Sequence, residues 1–131
     1  TGQISLVPII FYLGAIFWTL GFDTVYGLQD IKDDEIIGIK STSIKFKKNL
    51  NLFLIICYSL FIIAIYIVGY FMNFSLIFYV FTVISVFHLF FFQIYNLKHK
   101  DPKSCLKTFK SNNMLGFLIL LNLLIGKIFI I

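Results

Sequence analysis

Long stretches without a charged side chain dominate this sequence and restrict what it can fold into. Residues 1–22 and 111–126 carry no charge, and residues 49–97 carry none apart from the titratable His88. A helix needs about 20 apolar residues to cross roughly 30 Å of hydrocarbon. The first stretch can therefore cross once, the middle stretch twice, and the last stretch, taken on to Ile131, once. The chain is 60% hydrophobic and 13% charged, which is more apolar surface than a globule of 131 residues can bury. The sequence therefore predicts an integral membrane protein.

Four transmembrane helices are predicted, at approximately 4–24, 50–71, 74–97 and 113–131. The many Ile, Phe and Tyr residues would favour strands in water. In hydrocarbon, however, a segment must satisfy its own backbone hydrogen-bonding groups, and uninterrupted apolar runs of this length do so as helices. The predicted fold class is an all-α membrane protein with a single domain.

The N-terminal run and the two cysteines have simple interpretations. The first apolar run lacks the basic region and the small-residue cleavage site of a signal peptide. Because the chain begins at Thr1, inside or just before a helix, we expect it to be the C-terminal part of a longer protein. Cys57 lies in a predicted helix and Cys105 in a polar connection, without Cys-x-x-Cys spacing, so both are predicted to remain thiols.

The lysines predict an orientation in the membrane. Threading the four helices places the 25–49 and 98–112 connections on one face and the Met72–Asn73 turn on the other. Ten of the eleven lysines lie in those two connections, and Lys127 lies toward the opposite face. The positive-inside rule assigns the lysine-rich face to the cytoplasm, and we expect an inner, cytoplasmic membrane location. The net charge of +5 is then a topology signal suited to lipid headgroups, and it does not indicate nucleic-acid binding.

The acidic residues are concentrated at one place, because five of the six lie between Asp23 and Glu35. If the first helix continues past the membrane surface, Asp23, Asp30 and Asp34 fall within an arc of about 40°, with rises of about 10 Å and 6 Å between them. Asp33 is turned about 80° away, close enough to act through water. Proteins generally bind Mg²⁺ through one or two carboxylates, and water and phosphate oxygens complete its coordination. The spacing favours a Mg²⁺ site, although a solvated acidic helix end would have the same pattern.

Two motifs carry a resemblance to a known family. The run Asp23-Thr24-x-Tyr26-x-x-x-Asp30-x-x-Asp33-Asp34, followed by Gly38-Ile39-Lys40-Ser41-Thr42, resembles the second aspartate motif of the UbiA superfamily of intramembrane prenyltransferases. It is most similar to the 4-hydroxybenzoate polyprenyltransferases of ubiquinone synthesis. The run Cys105-x-x-x-Phe109-x-x-Asn112-Asn113-x-x-Gly116 resembles the loop before the last helix of these enzymes.

The spans resemble the last four helices of the family's nine-helix bundle. The resemblance therefore implies that residues 1–131 are the C-terminal part of one transmembrane prenyltransferase domain. The family's first motif, Asn-Asp-x-x-Asp-x-x-x-Asp, would lie in the missing N-terminal half. That half is then an expected partner, and the 131-residue fragment alone is expected to be inactive.

The resemblance also implies a reaction. A polyprenyl diphosphate would ionise, and the allylic cation would alkylate the ring of 4-hydroxybenzoate next to the phenol. Mg²⁺ would neutralise the departing diphosphate. The residues that the resemblance assigns to this chemistry are Asp30 and Asp34 as catalytic groups, Asp23, Asp30 and Asp34 as metal ligands, and Asp33, Lys40 and Tyr26 in the surroundings of the diphosphate.

Several alternatives stay open on sequence alone. The alternative to a site role for Lys40 is a lysine that only follows the positive-inside rule. The alternative for Tyr26 is an aromatic residue at the membrane interface. His88 is expected to bond a neighbouring helix, or otherwise to contact a quinone-type substrate. Asn112 and Asn113 are expected to cap the last helix, and the alternative is a role in a substrate loop.

Other functions are also compatible with the sequence. A sibling enzyme would prenylate another acceptor, such as a quinone precursor or haem. A non-enzymatic membrane subunit or a cation transporter fragment would be a different class, but a transporter is expected to place its acids near the bilayer midplane.

Overall fold

Helices make up nearly all of the chain that the computed structural model describes, which is residues 6–28, 38, 49–95, 97 and 101–128. In chain order they are α1 (Leu6–Gly27), α2 (Leu50–Phe71), α3 (Leu76–Phe87), a π-helical segment (His88–Tyr95), α4 (Pro102–Lys110) and α5 (Asn112–Ile128). These residues form no strand, and four stretches of them are long and apolar enough to cross a membrane. The predicted all-α class with four spans is confirmed.

Helix α2 lies at the centre of the bundle. Half of its most apolar window is buried among other helices, whereas only 11% of the corresponding window of α1 is buried. Helix α2 packs against α1 on one side and against α3 and the π segment on another, while α5 packs on α3 and α4 packs on α1. One long face of α1 is therefore left uncovered by the described residues.

Glycines let α1 approach α2 closely. A Cβ added at Gly14 would lie 2.6 Å from Ala64 Cβ, and one added at Gly21 would lie 2.5 Å from Tyr58 Cε1. The two glycines are two helical turns apart, so they share one face of α1. Small residues at a helix interface are a common way for membrane helices to gain van der Waals contact. This seam holds α1 to α2 by shape.

The connection between α2 and α3 is a tight helix-terminating turn. Asn73 has a φ of 56°, and its N–H donates to Tyr70 O while Phe74 N–H donates to Gly69 O. This pair of bonds is the Schellman motif, in which a left-handed residue ends a helix and satisfies its last carbonyls. The short turn predicted at Met72–Asn73 therefore ends α2 and places α3 beside it.

The third and fourth spans differ in detail from simple α-helices. The third changes to π winding at His88. The fourth is preceded by α4, whose N-terminus is capped by the Asp101 carboxylate accepting from Lys103 N–H at 3.1 Å. Only Ser111 separates α4 from α5. Helix α4 is amphipathic: its lysines are exposed, while Cys105 and Thr108 are buried. Both cysteines are buried thiols, as predicted.

Candidate functional site

The beginning of the aspartate motif lies on the last turns of α1. This helix continues as far as Gly27, three residues beyond the predicted end of the span, so Asp23 and Tyr26 lie on helical backbone. Asp23 is exposed, and Tyr26 is 46% exposed. The other residues that the motif assigns to the site lie outside the described residues: Asp30, Asp33, Asp34 and Lys40.

Asp23 lies at the end of an open groove along α1. The groove has a volume of about 410 Å³ and is lined by Tyr12, Ala15, Ile16, Thr19, Leu20 and Asp23. At about 100° per residue, Tyr12, Ile16 and Asp23 share an arc of about 40° that lies opposite Gly14 and Gly21. Because those glycines face α2, the groove faces away from the bundle. It offers an apolar wall with two hydroxyl groups along it and one carboxylate at its end.

Aromatic rings hold this end of α1 against α4. The Phe109 ring lies 5.8 Å from the Phe22 ring and 4.6 Å from the Tyr26 ring, measured between centroids. One turn earlier, the Trp18 ring stacks on Phe61 of α2 at 5.2 Å. The residues flanking Asp23 therefore pack on two helices, and Tyr26 rests on Phe109 while keeping nearly half of its surface exposed.

A polar network beside these rings joins α1, α2, the π segment and α5. Trp18 Nε1–H donates to Asn112 Oδ1 at 2.9 Å, and Gln93 Nε2–H donates to the same oxygen at 3.0 Å. Tyr58 O–H donates to Gln93 Oε1 at 2.8 Å. Gln93 and Tyr58 are fully buried. We call Trp18, Asn112, Gln93 and Tyr58 the amide network.

The amide network has one consistent set of donors and acceptors. An indole N–H can only donate, so the Asn112 atom facing Trp18 is its oxygen. That oxygen requires a donor from Gln93, which leaves Gln93 Oε1 to accept from Tyr58. Gln93 Nε2 also lies 3.4 Å from His88 Nδ1, and because an amide nitrogen can only donate, a hydrogen bond here needs Nδ1 as its acceptor.

Asn112 and His88 depart from their sequence-based expectations. Asn112 is the first residue of α5, but its side-chain N–H groups donate backward to Phe109 O at 3.1 Å and Thr108 O at 3.5 Å. It thus closes the end of α4 and bridges to other helices, so the prediction that it caps α5 is wrong. Among the described residues, His88 contacts Gln93 of its own π segment, whereas the sequence predicted a bond to a neighbouring helix.

Sequence reasoning did not single out Trp18, Tyr58 and Gln93. An amide or a hydroxyl in an uncharged span is a signal in itself, because a polar group in hydrocarbon needs a partner. The partners depend on how the helices are rotated against one another, and residue spacing within one helix does not contain that information.

A second polar contact joins α5 to α3 away from this end. Asn122 Nδ2–H donates to Thr82 Oγ1 at 2.6 Å, and Thr82 O–H donates to Phe78 O at 2.8 Å. Asn122 is ten residues after Asn112, which is about 15 Å along the helix. This contact provides a matched comparison for the amide network.

The metal prediction depends mainly on residues outside the described part of the chain. Within the described part, no three His, Cys, Asp or Glu side chains are grouped closely enough to hold an ion. Asp23 supplies one exposed carboxylate, and a hard oxygen donor of this kind suits Mg²⁺. The carboxylates that would complete the site are those of Asp30 and Asp34.

Comparison with known proteins gives consistent matches. Residues 1–122 match the model of the UbiA prenyltransferase family. The mitochondrial 4-hydroxybenzoate polyprenyltransferase of Dictyostelium discoideum is 34% identical over 89% of this chain and 25% of its own length. The 4-hydroxybenzoate geranyltransferase 1 of Lithospermum erythrorhizon is 37% identical over 95% of this chain and 41% of its own length.

A bacterial relative also matches nearly the whole of this chain. The 4-hydroxybenzoate octaprenyltransferase of Tolumonas auensis is 28% identical over 95% of this chain and 43% of its own length. The chain thus spans less than half the length of these relatives. No solved structure matches it at a significant level.

Proposed function

Because this chain belongs to the UbiA prenyltransferase family, as its motifs predict, we propose that the complete protein transfers a polyprenyl group to the aromatic ring of 4-hydroxybenzoate. The relatives named for prenyl transfer to 4-hydroxybenzoate match 89% or more of the chain. The proposal extends to a role in ubiquinone synthesis, to Mg²⁺ as the cofactor and to residues 1–131 as the C-terminal part of the catalytic domain.

The observation that carries the proposal is the placement of Asp23 at the end of the uncovered groove of α1. A polyprenyl diphosphate has one long apolar part and one highly charged end. The groove has the same division, because Ala15, Ile16 and Leu20 line its wall and the Asp23 carboxylate lies at its end. An apolar chain against the wall would bring its diphosphate toward the aspartate motif.

In this reaction the bond between the allylic carbon and the diphosphate oxygen breaks, and the oxygen keeps the electron pair. The allylic carbon then bonds to the ring carbon next to the phenol, and that ring carbon releases its proton. Mg²⁺, when bound, would offset the charge that develops on the diphosphate. Asp23, Asp30 and Asp34 would hold it, while Asp33, Lys40 and Tyr26 would lie around the leaving group. The carboxylates do not attack the substrate.

The test uses the full-length protein in membranes with a polyprenyl diphosphate, Mg²⁺ and radiolabelled 4-hydroxybenzoate. We expect label in a lipid-extractable product alkylated next to the phenol, and loss of that product with a chelator. Asp23→Asn is expected to lower turnover at least tenfold, since it removes a charge from the site. The matched control is Asp101→Asn, which removes an exposed carboxylate but retains an oxygen to cap α4.

The result that contradicts the proposal is an unlabelled lipid fraction with a correctly inserted protein. Label that appears only with another acceptor, such as a quinone precursor, would keep the family chemistry and replace the substrate. Equal turnover in Asp23→Asn and the unmodified enzyme would remove Asp23 from the site.

A further inference from the structure

The contacts of α1 with α2 do not by themselves fix how the Asp23 end of α1 is rotated. Its seam with α2 is built from Gly14 and Gly21 against Ala64 and Tyr58. Contacts of this kind depend on distance and shape and have little directional character. A hydrogen bond is directional, because it weakens steeply as its angle departs from linear. Trp18 supplies such a bond from α1 to Asn112, at 2.9 Å.

We propose that the amide network positions the Asp23 end of α1 for catalysis by fixing α1 against α4, α2 and the π segment. Trp18, Asn112, Gln93 and Tyr58 are positioning residues in this proposal. Their role in turnover rests on the proposed function above, whereas their effect on α1 does not.

The network can hold one arrangement firmly because its hydrogen bonds constrain one another. Rotating the Asn112 amide by a half-turn would face its N–H group toward the N–H groups of Trp18 and Gln93. Rotating the Gln93 amide would face its oxygen toward the Asn112 oxygen. Each mismatch would leave a polar group unsatisfied among membrane helices, where water is scarce. The indole at one end thus sets the orientation of both amides and of the Tyr58 hydroxyl.

The π winding is what brings Gln93 into this network. Residues five apart on an α-helix point about 140° away from each other. In the π segment, His88 and Gln93 are five apart and their side chains are within 3.4 Å. Gln93 is fully buried there and contacts both Tyr58 and Asn112. Short π-helical segments are rare and occur frequently at functional sites.

Asn112 links the two surfaces that flank Asp23. Its oxygen accepts from Trp18, five residues before Asp23, which is about 7.5 Å along α1. Its nitrogen holds the carbonyl of Phe109, and the Phe109 ring packs on Phe22 and Tyr26 on either side of Asp23. A shift of Asn112 would therefore move both the bond to α1 and the ring on which α1 rests.

The experiment removes one network hydrogen bond at a time from the full-length enzyme. Trp18→Phe removes the indole N–H but keeps a ring against Phe61, and Tyr58→Phe removes only the hydroxyl. The control is Thr82→Val, which removes an equally buried hydroxyl from the distant contact with Asn122. Hydrogen–deuterium exchange of residues 19–28 reports on the α1 end, and steady-state kinetics report on turnover.

We expect Trp18→Phe and Tyr58→Phe to speed exchange in residues 19–28 and to lower kcat by about 10- to 100-fold, because small misplacements of catalytic groups reduce rates to this degree. KM for the polyprenyl diphosphate should change less than about threefold, because the misplaced groups would stabilise the transition state and not the bound substrate. Thr82→Val should leave exchange in residues 19–28 and kcat within about twofold, whatever its effect on thermal stability.

Unchanged exchange in residues 19–28 of Trp18→Phe would overturn the proposal. Faster exchange with unchanged kcat would also overturn it, because the network would then be structural only. An equal fall of kcat in Thr82→Val would show a general loss of packing and would likewise contradict it. If the unmodified enzyme transfers no prenyl group, the proposed function fails, and the exchange measurements still decide whether the network holds the α1 end.

Discussion

Asp23 is the residue at which helix periodicity bears on the proposed chemistry. It lies on the face of α1 opposite Gly14 and Gly21, which pack on α2. Seven and eleven residues further along a helix of the same period, Asp30 and Asp34 would return to within about 20° of Asp23. A repulsive row of carboxylates is unfavourable unless a cation or a donor offsets it. The Asp23 carboxylate is exposed, so a cation can reach it. That Asp30 and Asp34 share its face stays a prediction.

At these positions we predict that Asp30→Ala or Asp34→Ala abolishes Mg²⁺-dependent prenyl transfer by the complete protein while membrane insertion stays intact. Removing a ligand charge leaves the departing diphosphate less neutralised, and one such group can account for 100-fold or more in rate, to order of magnitude. Transfer of radiolabelled 4-hydroxybenzoate and recovery in the membrane fraction are the two measurements. Asp101→Asn serves as the control, and near-normal turnover of both alanine variants would remove the metal assignment.

At the scale of the helices, apolar patterning predicted far more than polar pairing. The four spans follow from uncharged runs, because lipid demands internally satisfied backbone over each of them. The π winding of His88–Tyr95 and the backward bonds of Asn112 could not be predicted, since both depend on where Tyr58 and Trp18 lie on other helices. For the candidate site, spacing along α1 predicted the exposed face on which Asp23 lies. The residues that pack and hydrogen-bond around this end of α1 could not be predicted in the same way, because they lie on other helices.

The α1–α2 seam yields a prediction with a built-in comparison. Gly21→Ala should lower the free energy of unfolding by about 1–3 kcal/mol, because the new methyl would lie 2.5 Å from Tyr58 Cε1 and overpack the interface. Gly116→Ala places its methyl at 3.5 Å from Trp18 Cη2, an ordinary contact. There the gain in helix propensity, up to about 1 kcal/mol, should dominate. Thermal unfolding in detergent would compare the two, and equal stabilities would contradict the close packing at Gly21.

For the molecule as a whole, the distribution of lysines predicts which face meets the cytoplasm. Met72 lies in the turn between α2 and α3, and Lys107 is exposed on α4. The third span lies between them along the chain, so the two residues are expected on opposite faces of the membrane. Lysine-rich connections are retained on the cytoplasmic side. With Cys57 and Cys105 replaced, Met72→Cys should react with an impermeant thiol reagent added outside, and Lys107→Cys should react only after permeabilisation. The opposite pattern would invert the topology.

The largest-scale prediction is that this 131-residue chain does not catalyse prenyl transfer by itself. A diphosphate carries about three negative charges, and metal-bridged phosphates are generally held from more than one side. The groove of α1 provides one wall with Asp23 at its end, and only 11% of the most apolar window of α1 is buried. The isolated chain should therefore insert into liposomes and show no transfer, and it should regain transfer when co-expressed with the N-terminal part that the proposed function implies. A variant of that partner lacking its aspartate motif is the control and should restore nothing. Robust transfer by the isolated chain would contradict this split site and would require a second set of ligands within residues 35–131.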